Sequence, residues 1–222
     1  MSEPREPEGK GRGLPRLPPG RHGLSREFVV ENQRQRLAAG MIQAVAKRGY
    51  NAATVSDIAT ASGVSRRSFY GYFDSKEDCF VDTYAMVADF LFGAMTEAGE
   101  GERGWPARVR AELEAMLAVF AANPDLVRFA LIAPTAAGGA LVERYREFLD
   151  RLLSVLGDGR PRNERRPGEA AEHGLAGGLA ALVVNKVQAA EGERLGDLLP
   201  DLTELVLTPY LGRDRAVAAA RG

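Results

Sequence analysis

The chain has 222 residues, 45% hydrophobic and 27% charged, with a net charge of −1. That is the balance of a soluble globular protein with room for one large or two smaller cores, and no apolar run reaches the length needed to cross a bilayer. The first ten residues lack the apolar core of a signal peptide, and Cys79 is the only cysteine, so no intrachain disulfide can form and a cytoplasmic protein is expected.

Residues 1–24 hold five of the twelve prolines and five glycines with almost no apolar periodicity, which predicts a flexible arm. From Lys10 to Phe73 eleven Lys or Arg face three acids, +8 in all, so the remainder carries −9. A basic front on an acidic body orients a molecule toward a polyanion, and nucleic acid is the first candidate. Leu37, Ala38, Met41, Ile42 and Val45 form one helical stripe, and the basic pair Lys47-Arg48 before Gly49 predicts where that helix stops.

Residues 54–80 carry dense helix punctuation. Thr54-Val55-Ser56-Asp57 reads as a capping box, followed by the apolar Ile58-Ala59 and a break at Gly63. Val64 can plug the core at the turn, Ser65 can cap a second short helix over 65–73, and Ser75-Lys76-Glu77-Asp78 reads as another capping box that opens a long helix. Two helices joined by a short glycine-containing turn have the geometry of a helix-turn-helix. On the second, Phe69 and Phe73 face inward with Val64, while Arg66, Arg67, Tyr70 and Gly71 share the other side. Guanidinium forks bond guanine edges or phosphates, a tyrosine hydroxyl bonds a phosphate oxygen, and a glycine lets the helix come close to the groove.

The continuous stretch Thr54 to Asp78 closely resembles the DNA-binding domain of TetR-type transcriptional regulators, the likeness covering roughly residues 28–84. The resemblance implies that Ser65, Arg66, Arg67, Ser68 and Gly71 face the bases and that Thr54, Tyr70, Tyr72 and Lys76 hold phosphates. Tyr72 departs from the family, where histidine is common, but a tyrosine hydroxyl can still bond a phosphate. Lys76 also suits that role physically, since a helix N-terminus favours anions. The implied fold is all-α: an N-terminal three-helix helix-turn-helix domain (25–75) joined by a long helix to a C-terminal helical ligand-binding and dimerisation domain (76–212), with a tail at 213–222.

Behind this domain, Phe80, Tyr84, Val87, Ala88, Leu91 and Met95 mark the long helix, Trp105-Pro106 another start, and Asn123-Pro124 a third with Asn as cap. Leu141, Tyr145, Phe148, Leu149, Leu152 and Leu156 form a further stripe, and the Gly- and Pro-rich stretch 157–168 reads as a mobile surface loop. No alternating strand pattern competes. Segments 171–190 and 195–211 are apolar, the first rich in small residues (Gly174, Gly177, Gly178, Ala180, Ala181). Leu175, Leu179, Leu182 and Val183, with Leu198, Leu202, Leu205 and Val206, are expected to form a homodimer seam. The polar pair Asn185-Lys186 interrupts the apolar run, facing a ligand, the dimer axis or solvent.

The resemblance implies a ligand pocket here, and a largely apolar small-molecule effector is expected between helices of residues 80–156, with Tyr84, Met86, Phe90, Met116, Phe120, Phe129, Tyr145 and Phe148 as candidate lining. One cysteine, the histidines His22 and His173 and no glycine-rich phosphate loop assemble no triad, metal site or cofactor site, so no enzyme is expected. The sequence thus points to a DNA-binding regulator with double-stranded operator DNA as partner, a repressor released by its effector; a DNA-binding architectural protein without effector is the alternative.

Overall fold

The computed structural model describes residues 26–162, 164, 167–189 and 192–221; the expected N-terminal arm lies outside them. Among the described residues every regular element is helical. The first helix, α1 (Arg26–Arg48), buries Leu37, Ala38, Met41, Ala44 and Val45 and ends at Gly49, whose φ of 75° is left-handed. Next come α2 (Val55–Ser62) and the single turn α3 (Arg66–Phe69). The 24-residue α4 (Lys76–Gly99) then leaves the front of the molecule and runs through its body, burying Phe80, Tyr84, Val87, Ala88, Leu91, Phe92 and Met95. It is apolar and long enough to cross a bilayer, contrary to the sequence expectation, but half of that stretch is buried inside the protein, as in the core helix of a bundle.

Packing against α4, α5 (Trp105–Ala122) buries Trp105, Val109, Leu113, Met116, Leu117 and Phe120. The chain bends by 107° at the Asn123-Pro124 break and continues as α6 (Pro124–Val127), a π-helical stretch Arg128–Ile132 and α7 (Ala133–Ala137). Asn123 does not cap α6; its Nδ2 donates back to the Val119 carbonyl at 3.3 Å. Next, α8 (Ala140–Gly157) buries Leu141, Phe148, Leu152 and Leu156. The expected loop after it is held at two points: Arg160 lies over the Tyr210 ring and beside Glu172, and Glu164 pairs with Arg215 at 2.8 Å.

Two long helices follow, α9 (Glu169–Gln188) and α10 (Leu199–Leu211), separated by a 3-10 segment Gly192–Leu198. The expected C-terminal tail is instead a helix, α11 (Arg213–Arg221), docked through Ala216 and Ala220. One contiguous core runs from Leu37 to Ala216, so the front helices and the rear bundle share packing.

Candidate nucleic-acid interface

The front helices are too short to hold themselves, and hydrogen bonds fix them at both ends. Thr54 caps α2 by accepting from the Asp57 amide (3.2 Å), and Asp57 accepts from the Thr54 amide (2.9 Å) and hydroxyl (2.7 Å). These bonds, with Arg48 3.3 Å away, hold the Asp57 carboxyl below the usual carboxylate range. Gly63 ends α2 at φ 65°, a conformation that favours glycine, and the Val64 amide reaches back to the Ala59 carbonyl at 3.0 Å. Arg36 on α1 donates to the carbonyls of Ser62 (2.8 Å) and Gly63 (3.0 Å), closing the same helix end. Where α1 crosses α2, Gly40 leaves no room for a side chain: a Cβ there would lie 2.0 Å from Ser62 Oγ and 2.8 Å from the Ile58 oxygen.

Ser65 caps α3 by accepting from the Ser68 amide at 3.0 Å, and the two hydroxyls lie 2.9 Å apart. Phe69 is fully buried and Phe73 nearly so, their rings 5.7 Å apart. The helix closes in a tight turn at Gly71, where a Cβ would meet the Ser68 oxygen at 3.2 Å. The inward and outward faces divide as the spacing predicts. Ser65, Arg66, Arg67, Ser68 and Gly71 are exposed, as is Thr54; Tyr70 is 50% exposed, and Tyr72 is half-buried against the core. Arg34, Arg36 and Arg48 each hold a partner, in Asp82, the α2 carbonyls and Asp57. Arg66 and Arg67 hold none among the described residues. Two unpaired guanidiniums on one exposed turn can fork onto bases or phosphates without first breaking an internal bond.

Lys76 is engaged within the domain. Its Nζ is turned into the domain, donating to the carbonyls of Tyr50 (2.8 Å) and Ala53 (3.0 Å) and lying 4.2 Å from the Tyr50 ring centroid. Burial lowers its pKa. The two acceptors lie 26 and 23 residues back in the chain, beyond any local motif. The second expected capping box is likewise only half formed: Ser75 accepts from the Asp78 amide at 3.0 Å, with no reciprocal bond.

The candidate effector residues scatter. Met116, Phe120 and Phe129 are sealed in the core, while Met86 and Tyr145 are half-buried. Phe90, 61% exposed, faces away from the interior. Tyr84 and Phe148 meet at a cleft of about 190 Å³ between α4 and α8, with Val81, Ala85 and Ala88 beside them and Asp89, Arg144, Glu147 and Arg151 as its charged lining. Arg144 pairs with Glu147 and Arg151 with Asp89. Tyr84 Oη donates to the Ala130 carbonyl in the π-helical stretch at 2.9 Å, and burial pushes its pKa far up. The expected dimer seam divides as well. Leu179, Ala180, Val183, Leu202 and Val206 are buried in their own chain; Gly174, Ala181, Leu182 and Asn185 are exposed, and Leu175, Gly177, Gly178, Lys186, Leu198 and Leu205 lie between.

Residues 40–83 match the family model of bacterial regulatory proteins, tetR family. An uncharacterized HTH-type transcriptional regulator, YerO of Bacillus subtilis, is 22% identical over 204 residues, 83% of this chain and 71% of its own. Among solved structures, the fatty acid degradation regulator FadR of Bacillus halodurans superposes with a TM-score of 0.67 at 20% identity, over 78% of this chain and 96% of its own. FadR of Bacillus subtilis, in complex with stearoyl-CoA, gives 0.64 at 18% identity, over 80% and 98%. A gamma-butyrolactone receptor (ArpA-like protein) gives 0.58 at 17%, over 87% and 96%. These likenesses establish a shared all-helical fold.

Proposed function

We propose that this chain, a transcriptional regulator of the tetR family, binds operator DNA as a homodimer through α3 and is released from it by a small amphipathic effector. The observation that carries the reading is the exposed, unpaired Arg66 and Arg67 on a turn locked by Ser65, Phe69 and Phe73. In this reading Ser65, Arg66, Arg67, Ser68 and Gly71 meet base edges, and Thr54, Tyr70 and Tyr72 meet phosphates. One short helix reads too few base pairs to be selective, so two copies address half-sites about 34–36 Å apart or a multiple of that.

The outward faces of α9 and α10 form the seam between the copies. Between Leu175 and Val184 α9 is apolar on every side, and its outer strip exposes Gly174, Ala181 and Leu182 beside Asn185. A helix apolar all round belongs in an interior, which supports burial of that strip by a second copy. The chain acts in the cytoplasm as a repressor, occupying its site until the effector binds.

The effector sits in the cleft between α4 and α8, where apolar side chains meet two ion pairs, Arg144 with Glu147 and Arg151 with Asp89. An acyl-CoA likewise joins an apolar chain to a polar, charged head, and a FadR of similar fold is in complex with stearoyl-CoA. Because α4 begins beside α3 and lines the cleft, a ligand that shifts it alters the half-site spacing. A regulator without an effector is favoured by one observation: Phe80, Phe92, Phe120 and Phe129 fill the interior, each at most 1% exposed.

Selection of bound duplexes from a random pool tests the DNA reading: an inverted repeat should be enriched, and enrichment of no sequence overturns it. Thermal shift with an acyl-CoA series, followed by operator binding with each hit, separates the two readings. A ligand-dependent loss of operator affinity supports release, and no stabilisation by any member supports the regulator without an effector.

A further inference from the structure

A second cleft, of about 480 Å³, opens between the last turns of α8, the start of α9 and the end of α10. That volume lies within the range of small-molecule sites, about 300–1,000 Å³. Along α8 the cleft runs from Asp150 to Asp158, eight residues on and about 12 Å away at the rise of a helix. Glu172 of α9 and Tyr210 of α10 form the facing wall. Arg160 lies 4.8 Å from the Tyr210 ring centroid and 3.5 Å from Glu172, and the Tyr210 hydroxyl donates to Glu172 at 3.1 Å.

The facing wall is therefore balanced, whereas the two ends of the cleft are not. At one end Asp150 meets the His173 imidazole at 3.1 Å, and both side chains are more than half exposed. At the other, Asp158 lies 2.6 Å from Arg108 Nη2, but the same guanidinium donates through Nε to Glu112 at 2.9 Å. Glu112 is fully buried, and its Oε2 has no partner among the described residues. One cation thus serves two carboxylates and leaves a buried oxygen unsatisfied, which is costly. The burden shows in the Glu112 pKa, which burial raises, Arg108 lowers and Asp158 raises further. A cation seated on Asp158 would let Arg108 turn fully to Glu112.

Between the two ends the α8 wall is uncharged, formed by Leu153, Ser154 and Gly157. A wall with a carboxylate at each end and uncharged groups between them matches a chain with an ammonium at each end and methylenes between. Ammonium N–H groups make short, strong hydrogen bonds to carboxylates, and the methylenes can lie along Leu153. We infer that this cleft binds a linear diamine or polyamine, with one ammonium on Asp150 and another on Asp158. The site is separate from the cleft between α4 and α8, and the inference does not depend on the effector reading.

The test is calorimetric titration of the full chain with spermidine, and with butylamine as the singly charged comparison. An ionic strength of about 0.15 M screens attraction between exposed charges more than about 8 Å apart. Spermidine should bind saturably, one per chain, and butylamine about 10-fold or more weaker, because it lacks one charged contact. Asp150→Asn and Asp158→Asn, both at exposed positions, should each weaken spermidine binding by about 10-fold, the scale of one lost charge-assisted hydrogen bond. Glu112→Gln should weaken it as well, although Glu112 lies behind Arg108, because the guanidinium then serves Asp158 alone. Glu143→Gln, at an exposed carboxylate of α8 outside the cleft, should leave the affinity unchanged. Absence of saturable spermidine binding, equal affinity for butylamine, or binding indifferent to Asp150→Asn or to Asp158→Asn overturns the inference.

Discussion

Between Arg48 and Lys76 nearly every helix end is closed by a named hydrogen bond: Thr54 with Asp57, Val64 with Ala59, Ser65 with Ser68, Ser75 with Asp78. In the rear half, α5, α6, α8, α9 and α10 all begin without a side-chain cap, and burial of large apolar side chains sets their places instead. Helices of four and eight residues cannot nucleate alone, and reading a base edge demands fixed geometry, so the front is specified residue by residue. A bundle packed by burial tolerates substitutions of similar volume. Its cleft can therefore change while the capped front end stays the same.

The contrast breaks most sharply at Gly40, where burial rather than capping governs the front. Gly40→Val puts a branched side chain where even a Cβ would lie 2.0 Å from Ser62 Oγ, and should cost about 3 kcal/mol or more of stability, since overpacking that the backbone must absorb lies at the upper end of such effects. Thermal or urea unfolding measures this; a loss under about 1 kcal/mol would mean that α1 and α2 separate cheaply.

The rear has one polar exception that sharpens the comparison. Glu112 is fully buried, accepts from Arg108 Nε at 2.9 Å, and its Oε2 has no partner among the described residues. Burial raises its pKa, with Arg108 opposing. Arg108→Ala should therefore cost about 2–3 kcal/mol, because the carboxyl must stay buried without its cation or take up a proton. Glu112→Gln should cost less than about 1 kcal/mol. A carboxyl whose folded pKa is raised weakens the fold as pH climbs through its ordinary value of 4.5, and Glu112→Gln should remove that part of the pH dependence. Equal losses from the two substitutions would contradict this account of the pair.

The smallest effect belongs to the α2 cap. Because the folded state lowers the Asp57 pKa, the cap contributes fully above the ordinary value of 3.8 and fades as pH falls through the lower folded value. Thr54→Ala should flatten that acid limb of the stability curve; a limb of the same depth in the variant would place the proton uptake elsewhere.

The caps by Thr54, Ser65 and Ser75 were legible in the sequence because each joins residues three apart, whereas the cap expected of Asn123 is not made; the spacing of Phe69 and Phe73 gave the buried side of α3. Contacts distant in sequence were not. The inward turn of Lys76, the hold of Arg36 on the α2 carbonyls and the need for glycine at residue 40 depend on how α1, α2 and α4 cross. Helical period put Phe90 on an apolar flank of α4 without saying that this flank lacks a neighbour. Residues 213–221 offered few large apolar side chains, and α11 is secured by two buried alanines that no periodic pattern singles out.

The most direct test of the central claim is the operator affinity of the Arg66→Ala, Arg67→Ala double variant, read across a panel of single-base operator changes, with helix content and oligomeric state as controls. The account predicts a loss of about 1–3 kcal/mol for each base contact removed, together with relaxed preference at the contacted positions. Unchanged affinity and unchanged base preference would contradict it.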